Sequence, residues 1–180
     1  MNPRATDDAA LDGFAVAGGE DAFHTTGCPP TITTARERVE GYRAALVDAD
    51  IRPAPELIRY ETFKIDGGSR GAAELLALGD PPDALFISNA PQCVGALKVA
   101  GEKGLSVPAE VGIVCFDDEP CAALATPTIS TVSQPAHAIG IEAARLLLRR
   151  IAGDTSPPHR ILLEADLRIR ASSSLIAARR

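Results

Sequence analysis

From Pro108 the chain reads Pro-Ala-Glu-Val-Gly-Ile-Val-Cys-Phe-Asp-Asp, an apolar run that stops abruptly at two adjacent carboxylates, Asp117 and Asp118. Val111, Ile113, Val114, Cys115 and Phe116, following a helical pattern, are expected to form a strand buried on both faces. The carboxyl end of that strand is Asp117-Asp118. In open α/β sheets, loops and helix N-termini converge beyond the carboxyl ends of the strands, and ligands bind in that crevice. Two readings of Asp117 stand open here: a polar group presented to a ligand, or a turn cap before Glu119-Pro120.

The flanking sequence decides what kind of sheet this strand joins. Gly13 to Gly19 is a short apolar run closed by two glycines, which suits a first central strand, and residues 20 to 32 are loop by composition. Thr34 and Glu37 then form a Thr-x-x-Glu capping box, and Val39, Tyr42 and Leu46 recur at helical spacing until Arg52-Pro53-Ala54-Pro55 stops the helix. Leu57 to Glu61 alternates as a strand nearer the sheet edge would, with Phe63 just beyond it. A helix from about Gly68 to Leu78 turns Ala72, Leu75 and Leu76 inward. The strand Ala84 to Ser88 is followed by Asn89 and a helix carrying Val94, Leu97 and Ala100, with Gly104 as its stop. Four strands with three intervening helices imply an α/β fold: an open, mainly parallel sheet with helices on both faces and right-handed crossovers.

After the focal strand the rhythm breaks. Residues 119 to 136 are interrupted by proline and hold no helix-length period, after which Ile139, Ala143, Leu146, Leu147 and Ile151 mark an amphipathic helix ending at Gly153. A last apolar strand is expected over Ile161 to Ile169, and a mobile tail over Leu175 to Arg180. The units expected are therefore residues 1–126, a crossover with its helix at 127–158, a returning strand at 159–173, and the tail 174–180.

Bulk properties exclude several classes. A chain of 180 residues that is 46% hydrophobic can bury a real core, yet its apolar stretches fall far short of the roughly 20 residues that span a bilayer. Residues Met1 to Leu11 do not form a secretion signal, so a soluble cytoplasmic protein is expected. A net charge of −6 argues against a whole surface built to hold nucleic acid. Cys28, Cys93, Cys115 and Cys121 contain no Cys-x-x-Cys pair, and only His24, His137 and His159 could complete a metal site; reduced thiols, no metal and no cofactor are expected.

The blocks TARERVEGYRAAL, ALFISN, GALKVAGEKGLSVPAEVGIVCFDD, ISTVSQPAHAIGIEAARLLLRRIAG and LRIRASS resemble the effector-binding half of the lactose-repressor/galactose-repressor family of bacterial transcription regulators, over about residues 13 to 173. The resemblance implies the C-terminal lobe of a type I periplasmic-binding-protein-like sensor domain. The helix from Pro135 to Ile151 would belong to the N-terminal lobe, while the helix-turn-helix and most of that lobe stand outside this sequence. It implies a small sugar-like effector, with Arg38 as the arginine that grips it and Asp117 as the carboxylate at the strand end. A guanidinium only donates and a carboxylate only accepts, so the pair suits the mixed pattern of ring hydroxyls. Thr34 and Asn89 match further polar lining positions, and Phe63 falls near the family aromatic that stacks on a ligand. The same residues also read as a helix charge, a cap, a turn residue and a core aromatic. The resemblance further implies a homodimer through Val94, Leu97, Lys98, Cys121 and Leu124, and DNA contact only through the segment outside the sequence. Two departures stand out: Ala90-Pro91 where the family commonly has aspartate after Asn89, and a long loop from Glu20 to Thr33.

Two other classes compete. Gly67-Gly-Ser-Arg-Gly71 matches the Gly-x-Ser-x-Gly elbow of serine hydrolases, with Asp117 and His137 or His159 following in hydrolase order, which makes Ser69 a candidate nucleophile. A sugar-binding transport protein would share the two-lobed architecture. The resemblance also leaves the face of Ile139, Ala143, Leu146 and Leu147 without the lobe it would pack on. Burial of each large aliphatic side chain is worth roughly 1.5–3 kcal/mol, so this face is expected to find a substitute, with a second chain favoured.

Overall fold

Short β-rich runs alternate with helical periods, and the chain folds accordingly. The computed structural model describes residues 14–18 and 33–174. In chain order these form β1 (Phe14–Gly18), α1 (Thr33–Asp48), β2 (Ile58–Tyr60), α2 (Ile65–Leu75), β3 (Ala84–Ile87), α3 (Ala90–Glu102), β4 (Gly112–Phe116), α4 (Pro120–Leu124), β5 (Ser130–Ser133), α5 (Ala136–Ile151) and β6 (Asp166–Arg168). The sheet order is β2-β1-β3-β4-β5-β6; the first five strands run parallel and β6 antiparallel to β5. Parallel neighbours put the carboxyl ends of β1 to β5 along one edge, and the focal strand lies between β3 and β5.

The two faces of the sheet are covered unequally. Leu85 and Ile87 of β3 and Ile113 and Cys115 of β4 pack with Ala72 and Leu75 of α2 and Ala96, Val99 and Ala100 of α3 in one buried cluster. Burial of each large member contributes about 1.5–3 kcal/mol. On the opposite face Val39, Tyr42 and Leu46 of α1 bury with Ile58, and Phe86 packs at the margin. The strand expected to be buried on both faces is buried on one: Val114 and Phe116 are half-buried, as is Val132 of β5. The physical reason is that on that side α1 packs chiefly on β1 and meets β4 through Arg38 over Phe116.

α2 and α3 approach closely through glycine. A Cβ on Gly68 would collide with the backbone of Gln92, and one on Gly95 with the carbonyl of Ile65 and the amide of Ser69. The helix expected from Gly68 therefore begins earlier, at Ile65, and ends at Leu75 rather than Leu78, because the glycines are packing positions inside it and not its entry loop. Gly104 (φ 70°) and Gly153 (φ 94°) adopt left-handed backbone just past α3 and α5, as the sequence implied.

Other boundaries differ. α1 starts at Thr33, so Thr34 stands within its first turn rather than capping it. Residues 119 to 136 contain α4 and a full sheet member, β5; four residues with the composition Ser-Thr-Val-Ser give no apolar signal, yet Ser130 and Thr131 are fully buried because their hydroxyls are hydrogen-bonded. The expected strand Ile161–Ile169 shrinks to Asp166–Arg168, and its three residues are exposed. The loop expected at residues 20 to 32, Cys28, His24 and the tail Leu175 to Arg180 lie outside the described residues.

α5 is the outlier. None of its residues is buried, and Leu147, Leu148 and Ile151 are 61%, 64% and 73% exposed. Ile161, Leu162, Leu167 and Ile169, in the segment that follows, are exposed as well.

Candidate functional site

The carboxyl edge of the sheet collects polar side chains from α1, from the β3–α3 junction and from the ends of β4 and β5. Arg38, on α1, is half-buried; it donates from Nη1 to the carbonyl oxygen of Ser88 at the end of β3, and its guanidinium lies 3.8 Å from the ring centroid of Phe116 at the end of β4. Burial lowers the Arg38 pKa from the ordinary arginine value, and the Asp117 charge opposes that shift. Stacked over an aromatic face and tied to one carbonyl, the guanidinium is held in a fixed orientation with donors to spare.

Asp117 follows in a left-handed turn (φ 75°), with its amide donating to Val132 O at 3.0 Å. Its carboxylate accepts from Gln134 Nε2 at 2.5 Å. Arg38 and Gln134 share a hollow of about 550 Å³ whose walls include Thr34, Glu37, Phe86 and Phe116. Asp117 reaches that hollow through Gln134, and it also lines a separate groove of about 130 Å³ between α3 and α4.

The remaining expected residues divide. Thr34 lines the hollow with Arg38. Asn89 sits at the same edge, but its side-chain oxygen accepts from the Gln92 amide at 2.9 Å and caps α3, a structural role where the sequence offered a turn residue. Phe63 is not brought to Arg38; it lines a different depression with Lys64, Asp66, Ser69, Arg70 and Lys98. Val94, Leu97 and Cys121 do meet, on the walls of the α3–α4 groove, with Val94 43% and Leu124 82% exposed. Lys98 is exposed and pairs with Glu102 on its own helix.

The hydrolase alternative finds a packing motif where it needs an elbow. Ser69 lies inside α2 and its Oγ donates to Gly95 O at 3.3 Å, between the two glycines that let the helices touch. The buried thiols of Cys93 and Cys115 face one another; hydrogen bonding to Cys93 and then burial push the Cys115 thiol far above its ordinary range, which keeps it protonated. Among the described residues no three His, Cys, Asp or Glu are placed to hold a metal ion, and no helix is long and apolar enough to cross a membrane.

Sequence reasoning missed Gln134, which follows the unnoticed β5, and it read Phe116 only as core. It also missed Gln92, which is fully buried, accepts from Ser88 Oγ at 2.8 Å and donates to Thr62 O at 2.9 Å, joining the ends of β2 and β3.

A parallel sheet whose carboxyl edge gathers an oriented arginine, a carboxylate and aromatic faces defines a ligand-binding α/β domain, and the model of the periplasmic binding protein-like domain matches residues 14–173. The chain belongs to that family and, within it, to the LacI-type transcriptional regulators. It is 36% identical over 154 residues to the HTH-type transcriptional regulator CelR of Thermobifida fusca, covering 86% of this chain and 45% of that protein. It is 35% identical over 166 residues to a probable opine utilization operon repressor of Rhizobium rhizogenes, covering 92% and 80%. A solved CelR–cellobiose complex superposes with a TM-score of 0.80 at 34% identity, over 90% of this chain and 47% of that one. A LacI-family regulator from Sanguibacter keddieii gives 0.78 at 29%, over 91% and 58%. The chain thus spans about half the length of CelR and of the HTH-type repressor CytR of Escherichia coli, which are regulators and not enzymes.

Proposed function

We propose that this chain is the effector-sensing and dimerising portion of a bacterial transcriptional regulator, and that its effector is a sugar or sugar derivative. The observation that carries the reading is that Arg38, stacked on Phe116, and Asp117, held by Gln134, stand at one sheet edge, a cluster of donors near an acceptor. Ring hydroxyls present both donors and acceptors, and sugar faces stack on aromatic rings. Gln134 and Thr34 add an amide and a hydroxyl to the same rim. Phe63 is left out of the first contact set, and Asn89 contributes through the cap that holds α3 beside the site. The CelR neighbour was solved with cellobiose, which makes that disaccharide the first probe.

Two further parts of the reading concern partners. α3 and α4, through Val94, Leu97, Lys98, Cys121 and Leu124, form the homodimer contact, a reading supported by the exposure of Val94 and Leu124 and by the groove that Val94, Leu97 and Cys121 line. α5 and the segment from Ile161 to Ile169 belong against a second lobe, supported by an apolar surface that no described residue covers. DNA contact is the task of a helix-turn-helix elsewhere in the polypeptide, which places the protein in the cytoplasm, where its operator is. Calorimetry on the longest polypeptide containing this chain, with cellobiose and a panel of mono- and disaccharides, tests the effector assignment. Arg38→Ala and Asp117→Ala are each expected to weaken binding by about tenfold or more, the loss of one charge-assisted contact. Undiminished binding by both variants would remove those residues from the site.

A further inference from the structure

Asp117 and Asp118 are neighbours in sequence with unlike surroundings. The Asp117 carboxylate is exposed where it meets Gln134, whereas the Asp118 side chain is only 10% exposed and both of its oxygens are engaged. Oδ1 accepts from Thr131 Oγ1 on β5 at 2.8 Å and pairs with Arg170 Nη1 at 2.7 Å; Oδ2 pairs with Arg168 Nη1 at the end of β6. The Arg168 and Thr131 ends of this cluster belong to facing strands, since Thr131 pairs with Arg168 in the β5–β6 register. The segment after β6 is itself strapped to the sheet. Arg170 Nη1 donates to Ile129 O at 2.7 Å, Ser172 Oγ donates to Ile113 O at 2.6 Å, and the Ser130 amide donates to Ser172 Oγ at 2.8 Å.

Both oxygens of Asp118 are engaged within the protein, by Thr131, Arg168 and Arg170. What it can do is anchor the turn. Asp117 adopts a left-handed conformation that is uncommon for L-residues, though Asp visits it more readily than most. On one side its own amide is held by Val132 O; on the other, the next residue is pinned to donors on β5 and the returning segment. We infer that Asp118 is a positioning residue for the ligand edge: by binding Thr131, Arg168 and Arg170 together it holds the Asp117 turn, and so aims the Asp117 carboxylate at Gln134 and the Arg38 rim. The inference rests on the proposed role of Asp117 as effector acceptor, and it extends the support of that site to Arg168 of β6.

Amide hydrogen exchange on the 180-residue chain tests it without any ligand. In Asp118→Asn, which keeps the shape and removes the charge, the Asp117 amide exchanges about tenfold faster while amides in α3 and the centre of β3 keep their rates. Asp118→Glu, which returns the charge, restores most of the protection. Acceleration confined to residues 168–173, or spread evenly through the sheet, overturns the positioning role, because Asp118 would then only fasten the segment or stabilise the whole domain. A cellobiose titration of Asp117→Ala on the longest polypeptide separates the two layers. Unchanged affinity there, together with a freed Asp117 amide in Asp118→Asn, removes the effector role of Asp117 and leaves the anchoring intact.

Discussion

The guanidinium of Arg38 rests on the ring of Phe116, 3.8 Å from its centroid, while the same group donates to the carbonyl of Ser88. One cation thus joins α1, β3 and β4 at the ligand edge. Arg38→Met keeps an apolar stem over the ring and removes charge and donors. The expected cost in stability is about 0.5–1 kcal/mol, the worth of such a stacking contact. Urea denaturation measures that, and calorimetry on the longest polypeptide is expected to show a far larger loss in cellobiose binding.

Two glycines on one helix should respond with opposite signs. Gly95→Ala forces a methyl group into the backbone of α2 and is expected to destabilise by about 1–3 kcal/mol or more, as overpacked contacts do. A Cβ on Gly101, also in α3, would meet nothing within 4 Å, so Gly101→Ala is expected to gain up to about 1 kcal/mol of helix propensity. Paired chemical denaturation curves check both.

Acid should release the Asp118 cluster. The arginine and threonine partners lower the Asp118 pKa to about 2, below the unfolded carboxyl value near 3.9. A depressed folded pKa contributes stability that is fully present above the unfolded value and is lost as pH falls through the folded one. The contribution is therefore constant at neutral pH and declines from about pH 4 toward pH 2. Melting curves of the wild type and Asp118→Asn are expected to converge over that window and to run parallel above it. Asp154, held near 2 by Ser156 and Arg149, titrates in the same range in both proteins and cancels in the difference.

Association through the α3–α4 groove is open to direct test. Val94→Asp together with Leu124→Asp places charge on two exposed apolar positions without touching the buried core. Sedimentation at tens of micromolar is expected to show a dimer for the wild type and a monomer for the double variant. A standard-size interface holds at such a concentration.

The exposed face of α5 should behave differently. Leu147→Asp with Leu148→Asp is expected to leave the melting temperature of the 180-residue chain within about 2 °C, since neither side chain is buried in its own fold. The same change is expected to reduce concentration-dependent light scattering. Leu146→Asp with Leu147→Asp probes the half-buried flank of that helix by the same two measurements.

Much of the fold was legible because apolar period and glycine placement report burial directly. The runs at Ala84 and Val111 became β3 and β4, and the Val39, Tyr42, Leu46 spacing became the buried side of α1. β5 was not legible: its burial is achieved by hydroxyls that hydrogen-bond to Asp118, Ser173 and Arg170, and periodicity counts only apolar residues. Arg38 and Asp117 are proposed as ligand residues on the family resemblance and not on any local pattern, since nothing local separates a gripping arginine from a solvated one. Gln134 and Asp118 acquire their roles from pairings across 13 to 50 positions of chain, which no local pattern encodes.

Because β6 runs against β5 and Asp166 pairs with Ser133, the polypeptide departs from the sheet and comes back to it along the same edge. The stretch from Gln134 to Glu164, α5 included, is thus a loop of rope with both knots tied beside Asp117 and Asp118. Any surface that receives α5 is therefore linked through the chain to those two carboxylates, by Gln134 on Asp117 and by Arg168 on Asp118.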